Sequence, residues 1–231
     1  MARGPHLNQP GGPFHASTHP AIRGREFELR ALSDALRRLV AIAVTNTASA
    51  EETAAAAREL DALADRLQPT VSAAFPPRYA PEGTPVDPHD FFQYDVMLGL
   101  YNPLALPIEM EWHPPRALGF ARFTTPYEGP PGCVHGAVLA GAFDQVFNVA
   151  NLKSGSAGPT RELHLTYLRP TPLNADLVFE GQVEGVEGRE ITTLGRVRCG
   201  DKVTVEARGL FVMVSRERVE RMARARRGSE S

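Results

Sequence analysis

The chain has 231 residues, of which 42% are hydrophobic and 23% charged, and its formal net charge is -2. This composition is typical of a globular protein and argues against a nucleic-acid-binding or largely disordered chain. The two cysteines, Cys133 and Cys199, fit no metal-ligand spacing and favour a reducing compartment, and no stretch approaches the length of a membrane span. A cytoplasmic location is therefore predicted, without nucleic acid or membrane as partners.

Three segments are predicted to lie outside compact structure. Residues 1–24 are rich in Pro, Gly and His, lack the apolar core of a signal peptide, and are predicted to be disordered. Prolines predict a linker over residues 70–90, and residues 216–231 form a basic tail to which no function is assigned. The linker would separate a helical region at residues 25–69 from a main domain at residues 91–215.

Two amphipathic helices are predicted in the helical region. Apolar side chains recur at helical spacing from Glu26 to Ala43. Ser49, followed three residues later by Glu52, is a capping-box pattern that predicts a second helix, which ends at Leu67 before a proline. The two helices form a hairpin that cannot bury both apolar faces alone, so it is expected to dock on the main domain or on a second subunit.

In the main domain, one long apolar segment lies between runs of alternating polarity. Two short strands are predicted around "MEW" and "ALGFARF", and the length and alanine content of the segment from His135 to Asn151 favour a buried helix. Four strands are predicted after it, in "RELHLTYLRP", "ADLVFEGQVEG", "REITTLGRVR" and "KVTVEARGLFVMV". Glycine turns join the last three into an antiparallel meander. The predicted fold is α+β, with a curved antiparallel sheet wrapped around a central helix.

A single carboxylate, Asp144, lies within this apolar helix. Its neighbours in the sequence should desolvate it, and desolvation makes a carboxylate a stronger base. The first amides of the helix, near Gly136, have no intrahelical partner and lie at the positive end of the helix dipole, where they favour an oxyanion. A buried base beside an oxyanion site suits thioester hydrolysis without a serine or cysteine nucleophile. From the residues alone, Asp144 could equally be structural, and His135 is more often a structural histidine than a catalyst.

The stretch "HGAVLAGAFD" resembles the motif of the hotdog-fold acyl-CoA thioesterases of the phenylacetate-pathway (PaaI) type. In that family the motif reads His-Gly-Gly, then six residues, then Asp; here the second glycine is Ala137. The resemblance continues through "NVAN", "TRELHLTYLRPTPLNADLVFEG" and "GLFVMV", and covers about residues 99–214. It implies a hotdog fold, in agreement with the layer predicted from periodicity, and acyl-CoA hydrolysis without a cofactor.

The resemblance also implies roles for individual residues. Asp144 would be the general base or the nucleophile, and Gly136 would supply the oxyanion-hole amide. His135 would orient the loop or polarise the thioester carbonyl, and Thr160 would help to hold the attacking water. Such sites lie between subunits, so a homodimer or a dimer of dimers is expected, with Thr160 and Asp144 coming from different chains. Predicted substrate-binding positions are Ala137, Asn148, Arg169 and Arg189, and Arg196 is a further candidate for the CoA phosphates.

Two other functions remain open at this stage. One is a non-catalytic acyl-CoA-binding hotdog protein, which Ala137 in place of glycine keeps open. The other is a hotdog enoyl-CoA hydratase or dehydratase, which the spacing in "HGAVLAGAFD" fits less well. A metal site is not expected, because His113, His135 and His164 lie on separate predicted elements without a close-spaced ligand pair.

Overall fold

The computed structural model describes residues 22–71, 93–156 and 158–214. The helices and strands in chain order are α1 Glu26–Ala43, α2 Ala50–Leu67, β1 Ile108–His113, β2 Arg116–Ala121, α3 Gly136–Lys153, β3 Thr160–Tyr167, β4 Leu177–Glu187, β5 Glu190–Cys199 and β6 Lys202–Val212. The predicted helices and strands are therefore confirmed. Residues 1–21 of the predicted disordered N-terminus, almost all of the linker and the basic tail lie outside the described residues.

The six strands form one antiparallel sheet in the order β1-β2-β4-β5-β6-β3. Strands β4, β5 and β6 are consecutive neighbours, which confirms the predicted meander. Gly188 and Gly200 stand in the turns between them with φ values of +59° and +56°, a region that glycine enters without steric cost. The two edges of the sheet are β1 and β3, so the strand that follows α3 presents an unpaired edge.

Helix α3 packs across the inner face of the sheet and contacts all six strands. Its apolar side, which includes Phe143, Val146 and Phe147, is fully buried. Glycines in neighbouring strands allow this close approach: a Cβ on Gly195 would lie 2.5 Å from Phe147 Cε1, and one on Gly181 would lie 2.9 Å from Val146 Cγ1. The sheet wrapped around a central helix confirms the predicted α+β hotdog architecture.

A compact loop, residues 93–107, precedes β1 and covers part of α3. Its backbone closes on itself through hydrogen bonds from Gly99 N to Asp95 O (2.9 Å) and from Leu106 N to Met97 O (3.0 Å). Leu98 is 2% exposed and belongs to the main core. The loop is therefore an ordered part of the domain and is positioned beside the middle of α3.

An arginine of helix α1, Arg37, hydrogen-bonds to the backbone of this loop. The Nη2 of Arg37 donates to the carbonyl oxygens of Asn102 (2.7 Å), Gly99 (3.1 Å) and Leu100 (3.4 Å). Ile22, just before the helix, is fully buried. In the described part of the chain, α1 therefore contacts the main domain, as expected for the helical region.

Helix α2 is locally capped but, unlike α1, has no buried residue in the described part of the chain. The predicted capping box is present, because Ser49 Oγ accepts from Glu52 N (3.2 Å) and Glu52 Oε2 accepts from Ser49 N (2.9 Å). No residue of α2 is buried by the described part of the chain, and Leu60 and Leu67 remain 42% and 40% exposed. Local capping and alanine content stabilise this helix, since packing against the described residues contributes little.

Candidate active site

Asp144 lies on the one side of α3 that the sheet does not cover. Ala137, Gly141, Asp144 and Asn148 share this side at helical spacing and are partly or fully exposed. Thr160, the first residue of β3, donates its hydroxyl to Asp144 Oδ1. The side-chain amide of Asn148 donates to Asp144 Oδ2 at 3.3 Å and to its backbone oxygen at 2.9 Å. Both carboxylate oxygens are therefore oriented by donors.

The pKa of Asp144 is raised above its usual range. Burial of the carboxylate is the main cause, the hydrogen bond from Thr160 acts in the opposite direction, and the negative charge of Asp95 raises the pKa further. Asp95 is itself well satisfied, because its Oδ1 accepts from Met97 N (2.7 Å), Leu98 N (3.1 Å) and Gln145 Nε2 (3.3 Å). Asp144 is thus a carboxylate whose basicity the surroundings increase.

His135 caps the N-terminus of α3. Its Nδ1 accepts a hydrogen bond from Ala137 N at 3.0 Å, and its own amide donates to Tyr127 O at 2.8 Å. Because Nδ1 is the acceptor, the neutral ring carries its proton on Nε2. These contacts support the structural role of this histidine, which orients the first turn of the helix.

The amide of Gly136 is the free donor at this end. No described residue accepts from its N–H, whereas the amide of Ala137 is engaged by His135. The hydroxyl of Tyr167 donates to the Gly136 carbonyl oxygen at 3.0 Å and lies 3.0 Å from where a Cβ on Gly136 would be. The geometry leaves one unpaired N–H at the positive end of the helix dipole, as an oxyanion site requires.

Asp144 and Gly136 of one chain do not converge on a single point. They are separated by eight residues of helix, or about 12 Å along its axis. Thr160, by contrast, contacts Asp144 within the same chain. The expectation that these two residues come from different chains is therefore wrong: the turn after α3 brings the start of β3 back alongside the helix that precedes it.

The predicted CoA-binding arginines lie apart from one another. Arg169 is exposed just beyond the end of β3, and Arg189 is exposed in the turn between β4 and β5, where its guanidinium donates to Met213 O. Arg196 forms an ion pair with Glu180, at 2.8 Å. The structure does not bring these three residues together at Asp144.

Sequence reasoning did not identify Asp95 or Tyr167 as neighbours of the site. The segment "QYDVMLGL" carries a local signal, since an Asp followed by a glycine is typical of a turn that its side chain caps. Nothing in the sequence indicates that this turn packs against α3. Tyr167 was predicted as a strand residue, and its contact with Gly136 depends on the register of β3.

Metal sites and membrane-spanning helices are two further features that bear on function. Among residues 22–71, 93–156 and 158–214, no group of His, Cys, Asp or Glu side chains is placed to hold a metal ion. Within the same ranges, no helix is both long and apolar enough to cross a membrane.

Comparison with known proteins shows the family to which the chain belongs. A model of the thioesterase superfamily matches residues 131–206, which include α3 and most of the sheet. A thioesterase superfamily protein of known crystal structure is 36% identical in sequence to this chain. The match covers 80% of this chain and 94% of that protein's chain, and the two structures superpose with a TM-score of 0.71. The chain belongs to the thioesterase superfamily.

Curated members of this superfamily match a shorter part of the chain. The acyl-coenzyme A thioesterase THEM4 of Bos taurus is 33% identical over 96 residues, which are 40% of this chain and 39% of that protein. The corresponding protein of Xenopus laevis is 32% identical over 90 residues, or 38% of this chain and 40% of its own length. The match therefore spans about two fifths of these relatives.

Proposed function

We propose that this member of the thioesterase superfamily hydrolyses an acyl-CoA thioester to a free carboxylic acid and CoA. The observation that carries the proposal is the state of Asp144: a partly buried carboxylate with a raised pKa, held by Thr160 and Asn148 on the open side of α3. Two acyl-coenzyme A thioesterases among the matching relatives support the substrate class.

Asp144 can act in two ways, and both balance without a cofactor. As a general base, it takes a proton from water while the water oxygen attacks the thioester carbon, and it returns the proton to the sulfur as the C–S bond breaks. As a nucleophile, it forms an acyl anhydride and expels the CoA thiolate, and water then hydrolyses the anhydride. In either route the carbonyl oxygen becomes negative and needs a donor such as the free amide of Gly136.

We infer that the reacting groups come from two copies of the chain. Because about 12 Å of helix separates Gly136 from Asp144 of the same chain, one thioester carbonyl cannot reach both. When the open sides of two α3 helices face each other across a two-fold axis that is perpendicular to the helices, the helices run antiparallel and each Gly136 can approach the other chain's Asp144. The proposed assembly is a homodimer, alone or within a dimer of dimers, with two sites at the subunit interface.

Hydrolysis of a panel of acyl-CoA thioesters, followed by release of free thiol, tests the proposed activity. The Asp144→Asn variant keeps the side-chain volume but can neither take up the proton nor attack, so kcat should fall by about 100-fold or more. Asp201→Asn is the matched control, because Asp201 is exposed in the turn between β5 and β6. A folded Asp144→Asn variant that hydrolyses the best substrate at the wild-type rate would refute the proposed role of this residue.

A further inference from the structure

The open side of α3 changes in polarity on either side of Asp144. Toward the C-terminus of the helix lies the amide of Asn148, and Thr160 also donates to the carboxylate. Toward the N-terminus, one turn away, lies Gly141, which has no side chain. The space above Gly141 is filled by the side chain of Met97, so a Cβ at position 141 would overlap Met97 Cε.

Met97 has a backbone that hydrogen bonds hold in place and a side chain that can change conformation. Its amide donates to Asp95 Oδ1 at 2.7 Å, and its carbonyl oxygen accepts from Leu106 N at 3.0 Å. Three hydrogen bonds from Arg37 of α1 hold the same loop. The thioether side chain itself is unbranched and flexible, and methionine adapts readily to ligands of different shape.

A thioester bound at Asp144 has two unlike arms. The pantetheine arm of CoA carries amides and is suited to polar neighbours, whereas an acyl chain gains free energy where it leaves water for apolar surface. The methyl and sulfur of Met97 lie above the bare backbone of Gly141, three residues before Asp144, and form an apolar surface on this side of the helix. The acyl arm is therefore matched to the Met97 side of the carboxylate.

We propose that Met97 forms the adjustable wall of the acyl-binding pocket and determines how long an acyl group the site accepts. This inference rests on the proposed function, because it takes the thioester carbonyl to lie at Asp144. It adds a specificity-determining residue on the loop of residues 93–107, outside the region in which the thioesterase family model matches the chain.

Binding of non-hydrolysable S-alkyl-CoA thioethers of increasing chain length tests the inference. For the wild-type chain, affinity should stop rising at the length at which the alkyl end meets Met97. In Met97→Ala, affinity should continue to rise by roughly fourfold per added methylene for about two more methylenes, as expected for transfer of CH₂ groups into the vacated space. Val96→Ala is the control, because Val96 is the neighbouring residue and is 44% exposed.

The possible outcomes separate this inference from the proposed function. If Met97→Ala extends the preferred length and Val96→Ala does not, the inference holds even if the wild type hydrolyses no thioester. An unchanged length dependence in Met97→Ala overturns the inference even where thioesters are hydrolysed. A shift of equal size in Val96→Ala also overturns the inference. It is likewise overturned if the wild-type chain binds every thioether no more tightly than it binds CoA itself.

Discussion

The surroundings of Asp144 shift its pKa in opposite directions. Burial and the charge of Asp95 raise its pKa, while the Thr160 hydroxyl stabilises the ionised form and lowers it. A general base acts only when deprotonated, so the acid limb of the rate profile should lie above the usual range of an aspartate.

The pH dependence of kcat/KM gives the first prediction. In Thr160→Val the hydrogen bond that lowers the pKa of Asp144 is lost, so the pKa rises and the acid limb should move to higher pH. Thr160→Ser keeps a hydroxyl and should keep the wild-type limb. The measurement is kcat/KM between about pH 4 and pH 8 for the three proteins. A limb that moves to lower pH in Thr160→Val would contradict the assigned direction.

The proposed oxyanion donor, the backbone N–H of Gly136, can be removed by one substitution. Proline at the first position of a helix is well tolerated, and it deletes the N–H. His135, the preceding residue, already has the extended backbone that proline requires, with φ -61° and ψ 134°. Gly136→Pro should therefore lower kcat by about 100-fold or more while the fold is retained.

Gly136→Ala is the control for the added side chain. It introduces the same close contact with the Tyr167 hydroxyl, 3.0 Å from the new Cβ, but keeps the amide. Steady-state kinetics and melting curves of both variants should show a large loss of kcat only in Gly136→Pro. Equal losses in the two variants would assign the effect to the contact with Tyr167 rather than to the N–H.

Among the elements, those defined by local sequence were predictable. The capping box at Ser49 and Glu52, the apolar stretch of α3 and the alternating strands each carry their signal within a few residues. The pairing of β4, β5 and β6 follows from short glycine turns. Asp144 could also be singled out, because a lone carboxylate in an apolar helix stands out from its neighbours.

Contacts between distant segments were not predictable from the sequence. The placement of Thr160 beside Asp144 depends on the path of the chain between α3 and β3, and the sequence does not specify that path. Likewise, Arg37 looks like any other arginine on the polar side of a helix, although it binds three carbonyls more than sixty positions away. Such contacts form only when the folded sheet brings the distant segments together.

The attachment of α1 gives a prediction about stability. Arg37→Ala removes the donor to the carbonyls of Gly99, Leu100 and Asn102, so the free energy of unfolding should fall by about 1–3 kcal/mol. Arg38→Ala, at the adjacent exposed position of the same helix, should change it by less than about 0.5 kcal/mol. Urea unfolding of both variants provides the comparison. Equal stability of the two would mean that α1 is not fastened through Arg37.

At the scale of the whole molecule, the central claim is that each active site uses two chains. In the proposed assembly, Asp144 and Thr160 come from one chain and the Gly136 amide comes from the other. The claim predicts different results for two mixtures of impaired variants. A hybrid of Asp144→Asn with Gly136→Pro contains one site in which both groups are intact, whereas a hybrid of Asp144→Asn with Thr160→Ala contains no intact site.

The most direct test is therefore the acyl-CoA hydrolysis rate after subunit exchange between such variants. With random pairing at equal concentrations, the mixture of Asp144→Asn and Gly136→Pro should recover about a quarter of the wild-type activity, since half of the dimers are hybrids with one good site each. The mixture of Asp144→Asn and Thr160→Ala should show only the mean of its parents. Recovery in the second mixture, or confirmed exchange without recovery in the first, would contradict the shared site.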